Sequence, residues 1–141
     1  MPGSGPLPSA GHARVRKLVG EKPLWAGFYA TYDDDRRAFI VRSAPRRRYG
    51  FRVKVLWIVA PGTDQPPTIT GTNLETGAPV HFSVQGLGVT TVATLGPGRG
   101  VSETAWGESP SYLYFDRAGC FELNTESADR SWRLVFGLGR R

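Results

Sequence analysis

The segment FRVKVLWIV (Phe51–Val59) alternates strictly, with Phe51, Val53, Val55, Trp57 and Val59 on one face and Arg52 and Lys54 beginning the other. A two-residue period is what a strand shows when one face of its sheet is buried. Toward its end Leu56 and Ile58 make both faces apolar, which predicts a central strand.

Shorter runs of the same kind recur along the chain. LWAGFYA (Leu24–Ala30) and AFIVRS (Ala38–Ser43) flank TYDDDRR, and SAPRRRYG leads into the long run. Downstream come TITGTNL (Thr68–Leu74), VHFSV (Val80–Val84), VTTVATL (Val89–Leu95), SYLYF (Ser111–Phe115), GCFEL (Gly119–Leu123) and SWRLVFG (Ser131–Gly137). Turn-forming stretches such as ETGAP, GPGRG and NTESADR separate them. No segment shows a long 3.6-residue apolar period. Ala13–Val19 has room for one helical turn but no capping residue to support it. About eight or nine strands at a spacing of roughly 8–14 residues predict an all-β antiparallel sandwich with little or no helix.

Composition agrees with one folded domain. The chain has 141 residues, 40% apolar and 11% aromatic, enough to bury a core without staples. Residues 1–13 are mostly Pro, Gly, Ser and Ala and read as a flexible N-terminal segment, leaving 14–141 as a single sandwich domain. No apolar run reaches the ~18–20 residues a bilayer span needs. The N-terminus has no apolar stretch of the signal-peptide kind. The location expected is therefore cytoplasmic, or the cell envelope or exterior where a signal segment has been removed.

The C-terminal third carries a resemblance. S-Y-L-Y-F-D-R-A-G-C-F-E-L followed by S-W-R-L-V-F resembles the last hairpin of immunoglobulin-like sandwich domains. There a small residue and an aromatic enter the penultimate strand after a corner turn. The segment is also similar to a Gly-Cys-aromatic ending in uncharacterised bacterial envelope proteins. It covers about 26 residues, Ser111–Phe136. Trp57 compares with a buried sandwich tryptophan. The second cysteine of antibody-type domains is missing, and Ala118 stands where they have tyrosine. The resemblance implies an immunoglobulin-like fold and transfers no function.

Candidate chemistry is sparse. Cys120 is the one cysteine; alternation pairs it with Glu122 against Phe121 and Leu123, though the preceding turn leaves its facing open. With no histidine nearby and no helix N-terminus to activate a thiol, packing as a small hydrophobe is expected. One cysteine and two scattered histidines, His12 and His81, do not make a zinc site. No element positions a nucleophilic serine. GPGRG (Gly96–Gly100) lacks the phosphate-loop order and reads as a loop. Asp33–Asp35 reads as a solvated hairpin turn. No catalytic residue, metal ligand or cofactor is expected.

Charge supplies the strongest functional signal. Residues 1–60 carry 12 Lys/Arg against 4 Asp/Glu, net +8, whereas 61–141 carry 6 against 8, net −2. Arg46, Arg47, Arg48, Tyr49, Arg52 and Lys54 concentrate five cations and an aromatic within nine residues. Guanidinium forks suit phosphate, sulfate or carboxylate, and tyrosine can stack on bases or sugars. The same residues would also serve as a solvated charged turn that blocks strand pairing. Trp106, in a loop, is a weaker candidate for stacking on carbohydrate.

The sequence thus predicts a non-catalytic interaction or structural module of the bacterial envelope or surface, meeting a protein partner through sheet edges and loops. The alternative is polyanion binding, to nucleic acid or an anionic polymer, through the Arg46–Arg48 turn; the second alternative is carbohydrate binding. Oligomeric state is left open.

Overall fold

Phe51–Val59 forms, with Gly50, the central strand of the larger of two sheets. The structure, a computed structural model, describes residues 15–21, 23–41, 46–60, 67–84, 88–95, 107–127 and 130–140. The described strands are β1 (Lys17–Glu21), β2 (Leu24–Phe28), β3 (Thr31–Asp33), β4 (Ala38–Val41), β5 (Arg46–Arg47), β6 (Gly50–Val59) and β7 (Thr68–Asn73). They continue with β8 (His81–Val84), β9 (Val89–Thr90), β10 (Ala93–Thr94), β11 (Gly107–Phe115), β12 (Gly119–Glu126) and β13 (Ser131–Arg140).

The larger sheet runs β1-β2-β6-β11-β8-β9, with β5 also on β6; the smaller runs β10-β7-β12-β13-β4-β3. Pairing is antiparallel except between β13 and β4, which are parallel, so the smaller sheet is mixed rather than purely antiparallel. The all-β sandwich expected from the alternation is what forms, and no described residue is helical. No described helix is long and apolar enough to cross a membrane.

Thirteen strands are described where eight or nine were expected, and the extra ones are short. Ala13–Val19 makes no helical turn over its described part, because Lys17–Glu21 pairs with β2 instead. VTTVATL splits into β9 and β10, one in each sheet. There the Thr90 side chain takes over backbone work: Val92 N–H donates to its Oγ1 at 3.3 Å. Such local bonds compete with a continuing ladder.

The core lies between the sheets. Val53, Val55, Trp57 and Val59 of β6 meet Phe121 and Leu123 of β12 and Leu134, Phe136 and Leu138 of β13. At one end Phe28 stacks on Phe39 at 4.2 Å, and Phe136 packs edge-on against both. A smaller cluster of Trp25, Leu56, Ile58 and Ala60 covers the other face of the larger sheet, with Val15, Leu18 and Tyr29 packed on it. This is why Leu56 and Ile58 are apolar where Arg52 and Lys54 are not. A side chain at Gly27 would collide with Val15, which shows how closely that residue lies on the sheet.

Cys120 overturns the packing expectation. It is exposed, because β12 keeps its alternation and sends Phe121, Leu123 and Thr125 inward. The Asp116–Ala118 connection carries the chain from one sheet to the other and sets that register.

Candidate functional site

The outward faces of the two sheets differ in chemistry. On the smaller sheet Thr68, Thr70 and Thr72 of β7 lie beside Glu122, Asn124 and Glu126 of β12. Arg133 of β13 reaches Glu122 at 3.6 Å. That face mixes hydroxyls and charges of both signs with the exposed Val135.

The larger sheet presents cations and rings. Alternation that buries Phe51, Val53 and Val55 turns Arg52 and Lys54 outward on β6. The same alternation on β11 buries Leu113 and Phe115 and turns Tyr112 and Tyr114 outward. Register then sets the neighbours. Lys54 stands opposite Tyr112, and Arg52 opposite Tyr114. On the far side of β11, Tyr112 faces Ser83 and Tyr114 faces His81. Tyr29, just past β2, donates its backbone N–H to the Lys54 carbonyl at 3.2 Å and extends the first row.

Ring contacts fix these side chains against one another. The Arg52 guanidinium lies 4.4 Å from the Tyr112 centroid, and the Lys54 ammonium 4.9 Å from that of Tyr29. Cations over ring faces are held by the ring quadrupole. Tyr49 stacks on His81 at 4.7 Å and meets Tyr114 edge-on at 6.1 Å. Arg48 sits 5.4 Å over the Tyr49 ring from its turn position.

The turn is placed by β5 and β6. Arg46 pairs with Phe51 and Arg47 with Gly50, leaving Arg48 and Tyr49 as a two-residue tip. Gly50 has φ 118°, and any Cβ there would run into the Phe115 carbonyl. Only glycine lets the start of β6 approach β11 this closely. Tyr49 is thereby brought over β11 to His81.

No family model, no curated protein and no solved structure matches this chain.

Of the residues singled out in the sequence, Arg48, Tyr49, Arg52 and Lys54 come together on this face. Arg46 and Arg47 are placed by their backbones alone, since their side chains lie outside the described residues. Trp106, His12 and the Gly96–Gly100 loop also lie outside them. Asp33–Asp35 is a hairpin between β3 and β4, with Asp33 accepting a bond from Arg36 N–H at 3.2 Å. His81, read in the sequence as a poor metal ligand, belongs to the basic face instead. Among the described residues no group of three or more His, Cys, Asp or Glu is placed to hold a metal.

Three ring residues were not singled out, Tyr29, Tyr112 and Tyr114, and His81 was weighed only as a metal ligand. The alternation in SYLYF, with Leu113 and Phe115 inward, was the available signal for two of them.

A second polar cluster is architectural. Buried Asn73 donates to Asp116 at 3.0 Å, while its Oδ1 accepts from the N–H groups of Glu75 and Thr76. Glu75 in turn accepts from Cys120 N–H at 2.9 Å. These bonds tie the turn after β7 to the β11–β12 connection and use the polar atoms for that purpose.

Proposed function

We propose that the chain is a non-catalytic binding module, and that the outward face of the larger sheet takes a polyanionic ligand. The observation that carries this reading is the interleaving of Arg48, Arg52 and Lys54 with Tyr29, Tyr49, Tyr112, Tyr114 and His81. No carboxylate stands among the described residues of those rows; Asp116, just past β11 beside Gly50, is held by Asn73, and Glu108 lies beside Ile58 at the apolar end. Clustered cations without internal counter-charges attract polyanions and release their counterions on binding. Because the cations are pinned on rings, less side-chain freedom is lost when a ligand arrives.

Heparin chromatography tests the reading. The protein should be retained, and Arg48→Ala/Arg52→Ala/Lys54→Ala should elute at markedly lower salt. Arg133→Ala, on the opposite sheet, should elute with the parent. Equal elution of all three proteins would remove the reading.

The framework proposed for this face is immunoglobulin-like. In support, β2-β6-β11-β8 follows the A-B-E-D order of such sandwiches and β7-β12-β13 follows C-F-G. The buried tryptophan departs from that pattern, for Trp57 lies on the strand corresponding to B.

A second reading, contact with a protein partner, draws on Val89 and Val92. Val89 is exposed on β9, the outer strand of the larger sheet, and Val92 in the bend that leads from it to β10. Val92→Asp should abolish such contact in a cross-linking experiment; unchanged cross-links would remove this reading.

A further inference from the structure

We infer that the polyanion is single-stranded nucleic acid, with unpaired bases stacking on the β11 tyrosines and phosphates meeting the β6 cations. This rests on the polyanion reading above and adds to it the class of polymer.

The geometry is that of two parallel tracks. Tyr112 and Tyr114 point outward from one strand two residues apart, about 6.8 Å along β11 at the usual rise per residue. Arg52 and Lys54 point outward from the neighbouring strand, directly opposite them. The Tyr49–His81 stack lies at the β8 side of the ring track, and Arg48 marks its end. A strand laid along β11 therefore finds the Tyr114 ring and the Tyr112 face away from Arg52 for successive bases, with cations flanking its backbone. That pairing of a basic path with stacking platforms is how unpaired nucleic acid is held.

Duplex DNA does not fit the same surface. The rows cross from Tyr29 at the end of β2 through β6 and β11 to β8, three strand spacings or about 14 Å before side chains are counted. The major groove, about 12 Å wide, admits a helix or a two-stranded ribbon. A duplex would also keep its base faces stacked internally and leave the tyrosines unused. A sulfated polysaccharide supplies the anions but no planar aromatic face. An unpaired strand engages both kinds of residue through flat base faces, whereas a sulfated sugar offers the rings only a non-aromatic C–H face. Stacking tolerates any base, so little sequence preference is expected.

The test is fluorescence anisotropy with a labelled oligo-dT of about 15 nucleotides, within the range of site sizes for single-strand binders. A duplex of equal length and heparin serve as competing probes, each at low and moderate salt. The oligo-dT should bind at least ~10-fold more tightly than the duplex, with affinity falling steeply as salt rises. Tyr112→Ala/Tyr114→Ala should weaken oligo-dT binding at least ~10-fold and leave heparin within about 2-fold. Tyr112→Phe/Tyr114→Phe keeps both rings and should bind oligo-dT like the parent, which guards against a misfolded alanine variant. Duplex binding as tight as oligo-dT would overturn the inference. So would loss in the phenylalanine variant, or heparin and oligo-dT binding that ignores both tyrosine variants. In those cases salt-sensitive heparin binding lost in Arg48→Ala/Arg52→Ala/Lys54→Ala leaves the polyanion reading standing. Absence of salt-sensitive binding to every probe would overturn both.

Discussion

Tyr49 and His81 stack with 27° between their ring planes, although one sits in the β5–β6 turn and the other begins β8 on the far side of β11. The contact closes the basic face at one end. A double-mutant cycle of Tyr49→Ala and His81→Ala, read by urea unfolding, should give a coupling of about 0.5–1.5 kcal/mol, the range for aromatic pairs. A coupling of zero would mean the rings rest together without holding each other.

Two buried tryptophans should respond differently to the same substitution. Trp132 Nε1 donates to the Leu24 carbonyl at 3.0 Å, whereas Trp57 Nε1 is buried with no hydrogen-bond partner among the described residues. Trp132→Phe removes a buried bond; Trp57→Phe removes a donor that had nothing to give up. Apart from differences in packing, Trp132→Phe should cost about 1 kcal/mol more in chemical denaturation. The reverse order would show that Trp57 Nε1 has a partner in solution.

Gly50 should tolerate no side chain. Gly50→Ala combines a φ of 118° with a collision against the Phe115 carbonyl, and should lose more than about 2 kcal/mol of stability. Gly77→Ala is the comparison: its φ is 80°, yet nothing lies within 4 Å of the added carbon. It should cost less, with thermal unfolding of both variants as the measurement.

Cys120 should behave as a surface thiol. A thiol reagent should label it fully in the folded protein, and Cys120→Ser should change stability by no more than about 0.5 kcal/mol. Labelling that requires denaturant would place the side chain inward.

The sandwich and its inner face were legible because they depend on a local signal. Alternation in Phe51–Val59 names the residues that are buried, and the turn residues between runs mark where strands stop. The basic half of the candidate face was legible for the same reason, since Arg48, Tyr49, Arg52 and Lys54 are neighbours in the chain. Its aromatic half was not. Tyr112 comes to Lys54 and Tyr114 to Arg52 through a register set by some sixty intervening residues. The facing of Cys120 failed similarly, because a three-residue connection between sheets resets which side of the next strand is inside. VTTVATL looked like one strand because five of its seven residues are β-branched. The Thr90 hydroxyl, by bonding to its own backbone neighbourhood, gives the chain another option there.

The parallel pair of β4 and β13 joins segments separated by about a hundred residues. A ribosome releases β4 long before β13 exists, so an early strand waits with one edge lacking its final partner. β12 also lacks a neighbour until β13 arrives, although β7 can already pair with it. The smaller sheet is therefore completed only once β13 has been made, by distant contacts of the kind that slow folding. Until that moment Phe136 is missing from the aromatic end of the core, and the nascent chain presents Phe28, Phe39, Phe115 and Phe121 without it. Premature termination just before β13 would thus yield a species with two unsatisfied strand edges and an open aromatic core, the features that favour self-association over solubility.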